Sequence, residues 1–115
     1  MAFPQLAPAA EREYPSALLE GTLLLDGGCL RVRASEGGTS YLVVWPPQAE
    51  LNASSGTVRV LDSHSRVAAQ AGGPIRLGGG EVDSSVPVLR ALRTPLPTGC
   101  PGPLWLASSI VATPP

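Results

Sequence analysis

The stretch Leu18-Leu19-Glu20-Gly21-Thr22-Leu23-Leu24-Leu25-Asp26-Gly27-Gly28-Cys29-Leu30-Arg31-Val32-Arg33-Ala34 decides the fold class of this 115-residue chain. Two apolar segments flank Asp26-Gly27-Gly28, and an Asp-Gly turn between apolar runs is a strong local signal for a β-hairpin. Side chains alternate across a strand, so Leu19, Gly21, Leu23 and Leu25 share one face of the first. Leu30, Val32 and Ala34 share the inner face of the second, while Cys29, Arg31 and Arg33 point the other way. A helix would spread those arginines around its circumference.

The same reading extends toward the C-terminus. Ser35-Glu36-Gly37-Gly38-Thr39 turns the chain into Ser40-Tyr41-Leu42-Val43-Val44-Trp45, with Tyr41, Val43 and Trp45 on one face. Pro46-Pro47 stops that strand, because proline has no N–H for a sheet ladder. Residues 48–56 are expected to form a loop. Thr57-Val58-Arg59-Val60-Leu61 then faces Arg66-Val67-Ala68-Ala69-Gln70-Ala71 across residues 62–65, with Val58 and Val60 opposite Val67 and Ala69. Pro74-Ile75-Arg76-Leu77 alternates again, and Gly78-Gly79-Gly80 is expected to interrupt it. Three glycines permit a bulge, a positive-φ turn or a close backbone crossing. Leu104–Val111 suits a closing strand.

No helical pattern appears between residues 17 and 83. Five to seven short strands joined by Gly-rich turns predict an all-β domain: a small closed or partly open barrel, OB-like or SH3-like. A small β-sandwich is the alternative. Closure would pair the edge N–H and C=O groups that a small open sheet leaves bare. Residues 1–15, with Pro4, Pro8 and Pro15, read as a flexible tail or tether. Residues 16–112 form the single domain and 113–115 a C-terminal tail. Within the domain, residues 84–103 are irregular, with Val86–Leu89 as an edge strand or Val88–Arg93 as a short helix.

Composition narrows the function classes. Thirteen glycines and thirteen prolines exceed the usual share, and charged residues make up only 15%. All eight cations are arginine and the net charge is −1, so no long-range field steers the chain to a polyanion or an anionic membrane. Nucleic acid is therefore a disfavoured partner. The longest apolar run, Leu42–Pro47, is far short of a membrane span. Met1–Pro8 lacks the basic and apolar regions of a signal peptide, as in a cytosolic chain or one whose leader has been removed.

Cys29 and Cys100 are the only cysteines. Their even number, at a strand start and in a Pro/Gly segment, points to one disulfide tying residues 84–103 to the first hairpin; two unpaired cytosolic thiols are the alternative. Two cysteines and one histidine without close spacing fall short of a zinc site, and no cofactor or catalytic residue is expected. Asp62-Ser63-His64-Ser65 places acid, serine and imidazole in one turn, but adjacency does not make a triad. Asp26, Glu36, Glu50, Glu81 and Asp83 fall mostly in turns, where solvated carboxylates are ordinary. Gly78-Gly79-Gly80-Glu81 lacks the lysine and helix of a phosphate cradle. Trp45 and Trp105 read as core anchors. A ligand or partner face is assigned to Arg31, Arg33, Arg59, Tyr41 and Trp45, with solvated strand surface as the simpler account.

The order Gly28-Cys29-Leu30-Arg31, Trp45-Pro46, Gly56-Thr57-Val58, Gly78-Gly79-Gly80-Glu81 and Cys100-Pro101-Gly102-Pro103 with Trp105 resembles a family of small bacterial β-barrel domains of unknown function found in secreted proteins and lipoproteins. The resemblance spans residues 19–108. It implies a location outside the cytoplasm, in the periplasm or cell envelope, and the Cys29–Cys100 pair; it implies no activity. The leader and lipid-bearing cysteine of such proteins are not in this chain, and Leu104 stands where an aromatic is expected.

These readings predict a non-enzymatic extracytoplasmic structural or protein-interaction domain. Its partner would be another envelope protein, with membrane contact only through a lipidated leader, and its state a monomer or weak homodimer. The first alternative is an OB-like module for an oligonucleotide, oligosaccharide or small anionic ligand. A hydrolase is a remote one. A ligand module requires a groove where Trp45 or Tyr41 meets Arg31, Arg33 or Arg59. An interaction domain requires buried tryptophans and an apolar or edge-strand patch.

Overall fold

The structure, a computed structural model, describes residues 3–6, 17–54, 56–62, 64–83, 92–94 and 99–111. The described residues form ten strands: β1 (Gln5–Leu6), β2 (Ala17–Asp26), β3 (Cys29–Ala34), β4 (Ser40–Val44), β5 (Glu50–Ser54), β6 (Thr57–Leu61), β7 (Val67–Gln70), β8 (Pro74–Val82), β9 (Leu92–Thr94) and β10 (Leu104–Val111). No helix occurs among the described residues. The expected hairpins at 18–34 and 57–71 are both present, as is the closing strand. The two alternatives for residues 86–93 lie largely outside the described residues.

Five strands form a mixed sheet in which each is hydrogen-bonded on both sides, in the order β10-β4-β3-β2-β8 and back to β10. All its pairings are antiparallel except β4 with β10. The length of β2 makes this possible. Residues Ala17–Thr22 pair with β8 while Gly21–Asp26 pair with β3, so one strand serves two neighbours. Gly21 sits where the two ladders overlap, and a Cβ there would collide with the Arg33 carbonyl oxygen. Only glycine leaves room for that approach.

The glycine triplet behaves differently from expectation. Gly78-Gly79-Gly80 does not interrupt β8, which runs unbroken to Val82. The distortion lies in the partner, where the β8–β10 register shifts between Ala107 and Ser109. Gly79 takes φ +140°, and a Cβ on it would overlap the Leu106 carbonyl. The triplet thus serves close backbone approach at a bulge.

Alternating residues of the ring converge inward. Leu19, Leu23, Leu30, Val32, Val43, Trp45, Ile75, Leu77, Trp105 and Ala107 form one buried cluster. Leu25, expected on that face, is 45% exposed because β2 is running out of the ring there. A three-stranded antiparallel sheet, β5-β6-β7, adds Val58, Val60 and Ala69 to the same core. Strand β5 replaces the expected loop. Its sequence, Glu-Leu-Asn-Ala-Ser, is poor in β-formers, and it is held by the ladder to β6. Val67 opposes Leu61, not Val58 or Val60, after a register shift in β6–β7, and it is 55% exposed.

Residues 3–6, within the expected tail, pack onto the fold. Phe3 stacks on Trp45 with ring centroids 5.2 Å apart. Leu6 is fully buried against Val44 and Leu106. The buried Gln5 amide Nε2 donates toward the carbonyls of Pro46, Pro47 and Ala49 at 3.1, 3.2 and 2.6 Å. A proline-rich turn has carbonyls to satisfy and few N–H groups to do it, so one side-chain amide organises it. Gln5→Ala is expected to cost about 1–3 kcal/mol in urea unfolding, because buried carbonyls lose their donor.

Candidate functional site

The five residues assigned to a ligand face do not share one. Trp45 is fully buried beneath Phe3, as expected of a core anchor, and offers no stacking platform. Arg59 lies in β6 on the smaller sheet, its Nε donating to Gln70 Oε1 at 3.3 Å. Arg33 is exposed on the outer face of β3.

Arg31 points outward as its alternation predicted, but it is only 8% exposed and is not solvated. Its Nε donates to Ser40 Oγ at 2.8 Å, its Nη2 to the Ser40 carbonyl at 2.9 Å and its Nη1 to the Pro101 carbonyl at 2.8 Å. The chain around Cys100 lies over this face. The Cys29–Cys100 disulfide is formed, with Cα atoms 5.7 Å apart, and Cys29, Leu42 and Leu104 are buried together with Cys100 and Val82 against them. Arg31 therefore pins the disulfide-linked segment to the sheet. Around Cys29, Arg31, Leu42 and Leu104 the outer face is covered by the chain's own residues, with Leu6 and Leu92 closing the part around Val44 and Leu106, while Arg33 stays exposed.

One end of the ring stays accessible. A cavity of about 390 Å³ opens between β2, the β3–β4 turn and the start of β10, lined by Leu18, Leu19, Glu20, Ser35, Glu36, Thr39, Tyr41 and Trp105 among others. The ladders explain the convergence. Trp105 pairs with Val43 on one side and with Glu81 on the other, so Tyr41 and Glu81 flank the same stretch of β10. The Tyr41 hydroxyl donates to Glu81 Oε1 at 2.8 Å, and the Tyr41 ring meets Trp105 edge-on with centroids 5.5 Å apart. Trp105 is 6% exposed and its Nε1–H has no acceptor among the described residues. Glu20 lies directly across from Arg76, with Arg76 Nε 3.5 Å from Glu20 Oε2, an ion pair outside hydrogen-bond geometry.

Acceptance of its hydroxyl proton by Glu81 raises the Tyr41 pKa above the ordinary 10.0, with burial and the Glu81 charge adding to it. A raised value means that this contribution to stability is complete below pH 10 and fades as pH rises through the folded-state value. Titration of phenolate absorbance is expected to show a late component that Tyr41→Phe removes and that Glu81→Gln moves back toward the ordinary value.

The turn that suggested a triad is a structural device. Asp62 Oδ1 accepts the backbone N–H groups of Arg66 and His64 at 3.1 and 2.9 Å, which holds its pKa below the usual carboxylate value. His64 is exposed. No cluster of three His, Cys, Asp or Glu side chains suited to a metal ion occurs among the described residues.

Sequence reasoning named Tyr41 but placed it with arginines. Trp105 reads as a core anchor, which its burial bears out, and Glu36 lies in an exposed turn as expected, whereas the bond from Tyr41 to Glu81 has no local signal. The parallel β4–β10 pairing brings Tyr41 to Trp105 and the antiparallel β8–β10 ladder brings Glu81, and no local pattern signals a parallel contact across more than sixty residues. No protein-family model, curated protein or solved structure matches the chain.

Proposed function

We propose that this chain is a non-enzymatic binding domain that acts outside the cytoplasm, built on an OB-like closed barrel, and that it engages its ligand at the mouth between β2, β4 and β10. The observation carrying this reading is the recess of about 390 Å³ at the mouth, where the Tyr41 and Trp105 rings meet Glu20 and Glu36; a second recess of about 350 Å³ beside the disulfide is lined by Arg31, whose guanidinium is already bonded to Ser40 and Pro101. Mouths of small barrels are common binding sites, and a mixed aromatic and polar lining is the usual form.

The barrel assignment is supported by topology. Counting only the ring strands in chain order, the sequence of neighbours is first, second, third, fifth, fourth and back to first, with the third and fifth parallel. That is the arrangement of a five-stranded Greek-key barrel of the OB type. The sheet β5-β6-β7, inserted between the third and fourth ring strands, closes the core at Val58 and Val60. The disulfide supports the location, because such bonds persist in oxidising compartments. It agrees with the resemblance to envelope-protein domains.

A purely structural or protein-interaction role is the second reading, favoured by the burial of both tryptophans. Amide chemical-shift mapping with a mixture of neutral, cationic and anionic fragments separates the two. The binding-domain reading expects shifts clustered at Glu20, Ser35, Thr39, Tyr41 and Trp105. Shifts centred on Arg33, or none anywhere, would contradict it.

A further inference from the structure

The single asparagine of the chain, Asn52, stands in Asn52-Ala53-Ser54, the Asn-x-Ser/Thr acceptor of N-linked sugar. Glu50, two residues earlier, lengthens it to Asp/Glu-x-Asn-x-Ser/Thr, in which a carboxylate gives the transferase a second, charged handle. Eleven serines, six threonines and nine acidic residues are spread over the 115 positions. A lone asparagine in that composition meets both flanking conditions about 1% of the time, so chance is a poor account of the pattern.

The fold puts this acceptor where a sugar can be carried. Strand β5 is an edge of the sheet β5-β6-β7. Leu51, across from the buried Val60, packs on the core, while Glu50 and Asn52 on either side of it are exposed. Asn52 lies across from Arg59, whose guanidinium is bonded to Gln70 at the surface, so a glycan there displaces no core residue.

Transfer also requires the segment to enter the cleft of a transferase, which a strand in the middle of a sheet does not do. Among the described residues β5 is held by one ladder, to β6, and its sequence has little β preference. It can detach while the ring β10-β4-β3-β2-β8 keeps its pairs. An open edge invites pairing with a second chain, and a bulky sugar on it blocks that approach.

We propose that Asn52 is an N-glycosylation site, with Glu50 as its charged recognition residue. Such a site presupposes the extracytoplasmic location proposed above, to which the disulfide also belongs. The donor is an oligosaccharide carried on a polyprenyl diphosphate. The Asn52 amide nitrogen forms a bond to C1 of its first sugar and gives up one proton. The C1–O bond to the diphosphate breaks, and the diphosphate leaves with the bonding pair.

The test uses the full chain isolated from its natural cells, after separation of extracytoplasmic and cytosolic fractions. Trypsin, cutting after Arg33 and Arg59, releases residues 34–59 as one peptide without cysteine. In extracytoplasmic material that peptide is expected to exceed its sequence mass by a whole number of sugar residues, with fragmentation placing them on Asn52. Asn52→Gln produced in the same cells is expected to lose the added mass entirely. Glu50→Gln is expected to lower the occupied fraction at least about tenfold, the loss of one charge-assisted contact to the transferase. A peptide at its bare sequence mass in extracytoplasmic material would overturn the modification and leave the location standing. Recovery of the chain from the cytosol alone would contradict both. Added mass that survives Asn52→Gln, or occupancy unchanged in Glu50→Gln, would overturn the assignment as well.

Discussion

Gly79→Ala is expected to destabilise the protein by more than about 4 kcal/mol or to prevent folding, while Gly78→Ala next to it costs about 1 kcal/mol or less. Core substitutions above about 4–5 kcal/mol are exceptional and need a specific mechanism. Gly79 supplies two: its φ of +140° is a region that side chains rarely adopt, and its Cβ would overlap the Leu106 backbone carbonyl. Relief would require β10 to separate from β8, which breaks the ring at its longest ladder. At Gly78 the nearest obstacle is Ser109 Oγ at 2.7 Å, the end of a side chain that can rotate away. Urea unfolding followed by circular dichroism measures both. Equal, small costs would show that β8 and β10 do not approach as described.

The second large effect concerns Cys29–Cys100. Replacing both by alanine is expected to lower stability by about 2–5 kcal/mol, in line with the chain-entropy value of about 4 kcal/mol for a loop of this size. The bond spans 71 residues of sequence separation and anchors the segment around Cys100, to which Arg31 bonds at the Pro101 carbonyl and the Leu42 N–H at the Pro103 carbonyl. Without the bond, Leu42 and Leu104 lose part of their cover. Urea midpoints with and without reductant, compared with the double variant, measure the loss. A midpoint unchanged by reductant would mean that the cover is held by Arg31 and packing alone.

Much of this fold was legible in the order of residues. The Asp26-Gly27-Gly28 turn, the alternation through Cys29–Ala34, and the stop at Pro46-Pro47 are local signals, and local structure follows them. Three features escaped for physical reasons. Strand β5 has little intrinsic β preference and exists through its partner β6. The glycine triplet looks like a break, because a sequence does not reveal that a neighbouring backbone needs the vacant Cβ volume. Phe3–Leu6 sits among prolines and alanines, and its packing depends on Trp45 about forty residues away.

The candidate site was less legible than the fold. Alternation placed Arg31 outward, correctly, but could not show that the segment around Cys100 covers it. Trp105 was recognisable as an anchor and Tyr41 as a member of a ligand or partner face. Their meeting with Glu20, Glu36 and Glu81 depends on how the ring closes, which is a property of all five strands and of no single one.

The most direct test of a ligand at the mouth uses the two indole N–H resonances as paired reporters. Trp45 and Trp105 are both buried and neither indole has an acceptor among the described residues, but Trp105 lines the cavity and Trp45 does not. In a titration with the fragment that shifts the Tyr41 amide most, the Trp105 indole resonance is expected to move saturably while the Trp45 resonance stays in place. Movement of both together, or of neither while the fragment binds, would contradict recognition at the mouth.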